Sequence, residues 1–329
     1  MIPKIAHLSE SIFNKDIEKK PTRDGFGTGT VEAGREDKNI LVLCADLAES
    51  TRAEWFQKEF PDRFIEMGIA EQNMASTAAG FALAGKIPFI ASYAAFSPGR
   101  NYEQIRTTVA LNETNVKIAG MHAGISVGPD GATHQMLEDI GLMRMLPNMK
   151  VIVPGDAIEA HKAVVAAAKI EGPVYIRFGR TAVPSFTTND TPFIFGKALT
   201  VWEDEIPKIT IFSTGIMTHT AILAARALSA DGIGVLVVHV ATVKPLDVET
   251  IVSAAKKTGK VITLEEHQIA GGFGSAITEC LSQMYPVPIV RMGLDDVFGQ
   301  SGEPDELLTH YGLTVSHITE RVRRFVGVK

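Results

Sequence analysis

The chain has 329 residues, and its 38 acidic and 32 basic side chains leave a formal charge of −6. That balance argues against nucleic acid as the main partner, because phosphate-backbone binding needs an excess of Lys and Arg on one face. Apolar residues make up 45% and charged ones 21%, enough for a sizeable core and unlike a disordered chain. No apolar run approaches the roughly 18–20 residues that span a bilayer, and Met1–Lys20 lacks the long apolar stretch of a signal peptide. Cys44 and Cys280 lie far apart inside apolar segments, which fits a reducing cytoplasm better than a disulfide framework or a zinc site.

In chain order, short apolar runs alternate with helical stretches. Ile40–Cys44, Arg63–Met67, Ile87–Ser92, Val116–Met121, Lys150–Pro154 and Pro173–Phe178 read as buried strands. Their near-continuous apolarity is expected of a parallel sheet covered on both faces. Ala70–Gly85 and Asp156–Ile170 between them are helical in composition, and the alternation predicts a doubly wound α/β domain. Thr181–Lys208 breaks the rhythm with Pro184, Pro192 and Pro207 and a TTND run at Thr187–Asp190, and reads as a linker. A second α/β series follows, with strands at Lys208–Thr214, Gly234–Val240, Lys260–Glu266 and Val287–Met292 and helices over about Met217–Ser229 and Asp247–Lys257. The division falls between Phe186 and Gly196, giving domains over 1–190 and 191–329.

Ligands of such sheets gather at the carboxyl ends of the strands. Four of these ends carry polar loops: Ala45–Ser50, Gly68–Asn73, His122–Gln135 and Arg177–Arg180. Glu71 opens an otherwise apolar helix. It is either a carboxylate complementing the helix dipole or a buried acid with a specific partner. The loop His122–Gln135 packs three glycines, a proline, an Asp and two His into fourteen residues. Glycines let backbone approach a ligand closely, and His exchanges protons near neutral pH. Its histidine spacing does not suit a metal. Gly271–Ser275 precedes a helix but matches neither phosphate-binding glycine motif. Close packing of helix on strand is therefore the expected use of its glycines. Asp295-Asp296 and Glu265-Glu266-His267 are expected in loops or at an interface.

Together GIAEQN, SYAAFSPGRNYEQIR, GPDGATHQ and VYIRFGR resemble the C-terminal half of a transketolase, from about Pro21 to the end of the chain. GIAEQ is shared across thiamine-diphosphate enzymes, DGATHQ narrows the resemblance to transketolase and deoxyxylulose-phosphate synthase, and SPGRNYEQIR is similar to transketolases encoded as two polypeptides. The resemblance implies a pyrimidine-binding domain followed by a transketolase C-terminal domain. Full-length members also carry a diphosphate-binding domain with GDG and a distant Asn, which hold Mg²⁺ and the diphosphate. This sequence has no GDG; Gly155-Asp156-Ala157 is nearest and opens an ordinary helix. The expectation is half an enzyme, with no metal ligands of its own, that joins an N-terminal diphosphate-binding subunit in an α₂β₂ assembly.

The resemblance also assigns roles. Glu71 matches the carboxyl that hydrogen-bonds the N1′ ring nitrogen of thiamine diphosphate, favouring the tautomer from which the C2 carbanion forms. Phe96 matches the aromatic that stacks on the aminopyrimidine, Tyr93 a second wall, and Asp46 an acidic residue nearby. His134 and Asp130 match residues that hold sugar hydroxyls, with His134 also placed for proton transfer. Arg23, Ser50, His122 and Arg180 match the set that grips the substrate's terminal phosphate, a task suited to the bidentate fork of Arg. Gln72 receives no role. The implied activity is transfer of a two-carbon ketol unit between phosphorylated sugars. Alternatives are a deoxyxylulose-phosphate synthase-like enzyme, a 2-oxoacid dehydrogenase β-like subunit, which GPDGATHQ tells against, and a non-catalytic regulatory partner.

Overall fold

The protein is described here by a computed structural model covering residues 1–327. Val328 and Lys329, at the end of the expected second domain, lie outside the described residues. Among the described residues fourteen strands occur in chain order: β1 (Lys19–Pro21), β2 (Ile40–Cys44), β3 (Phe64–Glu66), β4 (Ile87–Tyr93), β5 (Lys117–Met121), β6 (Lys150–Ile152), β7 (Val174–Arg177), β8 (Ala182–Pro184), β9 (Leu199–Glu203), β10 (Ile209–Ser213), β11 (Val235–His239), β12 (Thr242–Lys244), β13 (Val261–Gln268) and β14 (Ile289–Leu294). They build a seven-stranded sheet of order β12-β6-β7-β5-β4-β2-β3, a five-stranded sheet of order β14-β13-β10-β11-β9, and a small β1-β8 pair.

All pairings within β6-β7-β5-β4-β2-β3 are parallel, as the apolar runs predict. In β2, Leu41 and Leu43 enter one core while Ile40, Val42 and Cys44 enter another. This two-residue alternation buries both faces of the sheet. The core holding Leu43, Ile118 and Val151 also contains Phe212, Leu236 and Val238 of the second sheet, so the two domains share apolar packing. The order of the first sheet reverses between β2 and β4, the crevice where open α/β sheets bind ligands.

Two expectations need correction. Thr181–Lys208 is not an unstructured linker: β8 pairs antiparallel with β1, and β9 runs antiparallel to β11 as an edge strand. Prolines mislead here because Pro184 ends its strand and Pro207 follows the other, positions that need no ladder donor. The second concerns the triplet Glu265-Glu266-His267: the strand expected over Lys260–Glu266 is present and runs on to Gln268 as β13, so all three lie buried in that strand and not in a loop. Glu265 accepts the amides of Phe273 and Gly274, each at 2.7 Å, and so fills the helix N-terminus with the chain's own carboxylate. A Cβ on Gly274 would lie 2.9 Å from Glu265 Oε1, which bears out close packing as the use of that glycine. Burial pushes the Glu265 carboxyl up to about 8 against the pull of the two amides and Arg177. His267 donates from Nδ1 to Gln268 O at 2.7 Å, and burial pushes its imidazole down to about 4.

Strand β12 belongs by sequence to the second series, yet it pairs antiparallel with β6 at the edge of the first sheet. Asp156 behaves as expected, capping the helix Ala157–Ala168 by accepting from the amides of Ile158 and Glu159. The helix Thr22–Glu36, far earlier in the chain, crosses this one so closely that a Cβ on Gly25 would lie 2.6 Å from Ala160 Cβ. Both cysteines are free, and no helix of the described residues is long and apolar enough to cross a membrane.

Candidate active site

The resemblance-derived residues converge at the carboxyl ends of the first sheet, around the β2–β4 crevice. The polypeptide leaving β4 turns at once, with Phe96 N and Ser97 N donating to Tyr93 O. This turn stacks the Tyr93 and Phe96 rings, with centroids 5.9 Å apart and planes 24° off parallel. His122, directly after β5, stacks on Tyr93 at 4.0 Å. His134 meets both aromatics edge-on, 6.1 Å from Tyr93 and 5.5 Å from Phe96. Its Nδ1 is 2.9 Å from Thr133 Oγ1.

A cationic group adjoins this aromatic wall. Arg23, near the start of its helix, donates from Nη1 to Ser50 O at 2.7 Å and to His122 Nε2 at 3.1 Å. Arg23 Nε and His122 Nδ1 are buried without a partner among the described residues. Burial and then Arg23 and Arg180 hold the His122 imidazole down at about 3, so it is neutral at ordinary pH. Arg180 donates to Val127 O at 2.9 Å and stands 3.7 Å from an Asp130 oxygen. Burial, reinforced by Arg52, lowers the pKa of Arg23 as well. The set offers a concentration of donors and positive charge suited to a phosphate.

Glu71 is the first residue of the helix Glu71–Leu83 and is only 1% exposed. Its Oε2 accepts from Arg100 Nη1 at 2.6 Å, while Oε1 faces Ser92 Oγ at 3.5 Å. The Arg100 guanidinium also lies over the Phe96 ring at 4.7 Å, linking the acid to the aromatic wall. Asn101 donates to Glu71 O at 3.0 Å and steadies the helix start. A buried acid whose Oε1 meets only a distant hydroxyl, set beside an aromatic pair, fits a heteroaromatic ring whose nitrogen can share a proton with it. The pyrimidine half of thiamine diphosphate is such a ring.

Asp46 stands apart. It is exposed, adopts φ +57°, and its amide donates to Glu66 Oε1 at 2.7 Å. The structure therefore brings together Arg23, Ser50, Tyr93, Phe96, His122 and His134, pairs Asp130 with Arg180, and leaves Asp46 on a neighbouring loop. Arg100 had no assigned role from the sequence, although it lies inside the SPGRNYEQIR run. Among the described residues no cluster of three or more His, Cys, Asp or Glu side chains is placed to hold a metal ion.

This fold and site define a thiamine-diphosphate-type pyrimidine domain joined to a second α/β domain, and comparison with known proteins is specific. Residues 18–185 match the transketolase pyrimidine-binding domain and residues 196–318 the transketolase C-terminal domain. The chain belongs to the transketolase family. It is 43% identical over 308 residues to a protein of Methanocaldococcus jannaschii described as a transketolase C-terminal section, covering 92% of this chain and 95% of that one. It is 38% identical over 304 residues to mouse transketolase-like protein 2, covering 92% of this chain but 48% of that one. It thus spans about half the length of that relative. Among solved structures it is similar to a split-gene transketolase seen as an inactive β4 tetramer, with a TM-score of 0.87, 46% identity and coverage of 94% and 99%.

Proposed function

We propose that this chain is the C-terminal subunit of a split transketolase that transfers a two-carbon ketol unit between phosphorylated sugars. The observation that carries the reading is Glu71, a buried carboxylate beside the Tyr93–Phe96 pair at the crevice of a transketolase pyrimidine domain. Transketolases generally depend on thiamine diphosphate, which supplies a nucleophilic carbon able to take up and release a ketol group. Glu71 holds the pyrimidine N1′ through a hydrogen bond and so selects its tautomer. Phe96 and Tyr93 fix the plane of the ring and keep water from it; Asp46, exposed on its neighbouring loop, is the least supported member of the set.

The remaining residues act on the sugar. Arg23, His122 and Arg180, with Ser50 beside them, bind the terminal phosphate; His122 contributes as a neutral donor. Asp130 and His134 hold sugar hydroxyls. His134, with Nδ1 engaged by Thr133, moves a proton at the reacting hydroxyl through Nε2. Diphosphate and Mg²⁺ need ligands that this sequence lacks, and a GDG-bearing N-terminal subunit would supply them in an α₂β₂ cytoplasmic enzyme. The similar split-gene protein seen as an inactive β4 tetramer supports dependence on a second subunit.

The test is a coupled assay of the chain reconstituted with a GDG-bearing subunit, thiamine diphosphate and Mg²⁺. Xylulose 5-phosphate and ribose 5-phosphate are compared with pyruvate and glyceraldehyde 3-phosphate. Turnover of the first pair alone is expected; turnover of the second pair alone would replace this reading with a synthase.

A further inference from the structure

The loop that carries His122, Asp130 and His134 is suspended between the two domains. From the first domain, Thr181 Oγ1 donates to Ser126 O at 2.5 Å, and Ala123 N donates to Phe178 O at 3.1 Å. From the second, Ser126 N donates to Glu266 Oε1 at 2.5 Å, and Gln300 O accepts from Gln135 Nε2 at 2.9 Å. Glu266 is buried near the carboxyl end of β13, and its backbone oxygen accepts from Arg177 Nη2 at 2.9 Å. Arg177 in turn donates from Nε to Asp139 Oδ2 at 2.9 Å, which fixes both ends of the bridge.

We propose that Glu266 is a positioning residue for the substrate end of the site: by holding the Ser126 amide, the second domain sets the loop that presents Asp130 and His134. The inference rests on the reading of that loop as substrate-binding. Three observations support it. Loop and carboxylate are fitted to each other, since a Cβ on Gly124, which has φ +96°, would lie 2.5 Å from Glu266 Cδ. The bond falls at the start of the segment Ile125–Asp130, two residues before its kink at Gly128 (φ +84°), so it anchors the stretch from which that kink leads on to Asp130. A buried carboxylate is also a costly way to hold two domains together when apolar packing already joins them. Burial pushes the Glu266 carboxyl up, and the charge of Arg177 is the main opposing influence.

The experiment uses the full chain with Glu266→Ala, Glu266→Gln and Glu266→Asp. Hydrogen exchange of the peptide spanning 122–135 is measured on the chain alone, and KM and kcat on the reconstituted pair. Glu266→Ala is expected to speed exchange of that peptide about tenfold and to raise KM for the phosphorylated sugar about tenfold, with a smaller change in kcat. Glu266→Gln, whose amide oxygen can still accept from Ser126, restores both. Glu266→Asp, which keeps the charge near Arg177 but is one methylene shorter, falls between and serves if the alanine variant does not fold. Unchanged exchange in a folded alanine or aspartate variant overturns the proposal. So does a loosened loop with unchanged KM, which would make Glu266 a domain tie only. If the wild-type pair fails to transfer a ketol unit, the functional reading falls, and exchange still decides whether Glu266 holds the loop.

Discussion

Arg23 Nη1 donates to His122 Nε2 at 3.1 Å, and that single bond decides which nitrogen of His122 carries the proton. A guanidinium can only donate, so Nε2 must accept and the proton of the neutral ring sits on Nδ1. The imidazole is a directed donor rather than a second cation beside Arg23.

This has a consequence for stability. The folded His122 titrates at about 3 against about 6.5 unfolded. Between those values the unfolded chain binds a proton that the folded chain refuses, so stability falls as pH is lowered from about 6.5 toward 3. His267, at about 4, acts in the same direction. Glu265, held at about 8, acts in the opposite direction over the same window, so the measure is a difference: between pH 7 and about 4, His122→Gln should lose less urea stability than the wild type, by on the order of 1–3 kcal/mol. A variant that tracks the wild type through this range would contradict the assignment.

Removing the acid at the crevice should separate chemistry from folding. In the reconstituted enzyme, Glu71→Gln or Glu71→Ala is expected to lower ketol transfer about 10²–10⁴-fold. The thermal midpoint should change little, because Arg100 is 46% exposed and can turn to water. Near-wild-type exchange of the cofactor C2 proton in Glu71→Ala would reduce the carboxylate to a helix-terminal charge.

Arg100 is a different case, since its loss leaves the buried Glu71 with Ser92 as a distant neighbour. Arg100→Ala is expected to destabilise the chain by about 1–3 kcal/mol, between the values for exposed and fully buried pairs. Urea denaturation of Arg100→Ala and Arg100→Lys measures this. The lysine variant should recover part of the loss through charge alone.

At the crossing of the helices Thr22–Glu36 and Ala157–Ala168, Gly25→Ala places a methyl 2.6 Å from Ala160 Cβ. The helices must separate, at about 1–3 kcal/mol, and Arg23 moves with its helix. Lower stability together with a raised KM for phosphorylated sugars is expected. A stability loss with unchanged KM would show that Arg23 does not read the phosphate.

Assembly provides a test without chemistry. The chain alone should be inactive, and light scattering should show added mass when the GDG-bearing subunit is mixed in. Robust turnover by the purified chain alone, or a mass that never rises on mixing, would contradict a two-subunit enzyme.

Much of this was legible in the sequence because periodicity reports burial directly. Ile40–Cys44 is apolar at every position, and both faces of β2 are indeed covered. β1, β8 and β12 escaped notice, since three residues carry no measurable period and their partners are remote in sequence. Glu265 and Glu266 fall at the end of the expected strand Lys260–Glu266, but their burial was not legible because charged residues are rarely buried; the amides of Phe273, Gly274 and Ser126 that make burial tolerable are visible only in three dimensions. The aromatic and histidine cluster was found through resemblance, whereas the pairing of Arg100 with Glu71, 29 residues earlier, needed the fold.

Strand β12 gives the molecule a stitch between its halves. Cut after residue 190, the polypeptide would lose Thr242–Lys244 and bare the outer edge of β6, an open template for pairing with foreign strands. The two domains are therefore poor cassettes. A recombination event that exchanged one of them among relatives would have to replace this short segment in register.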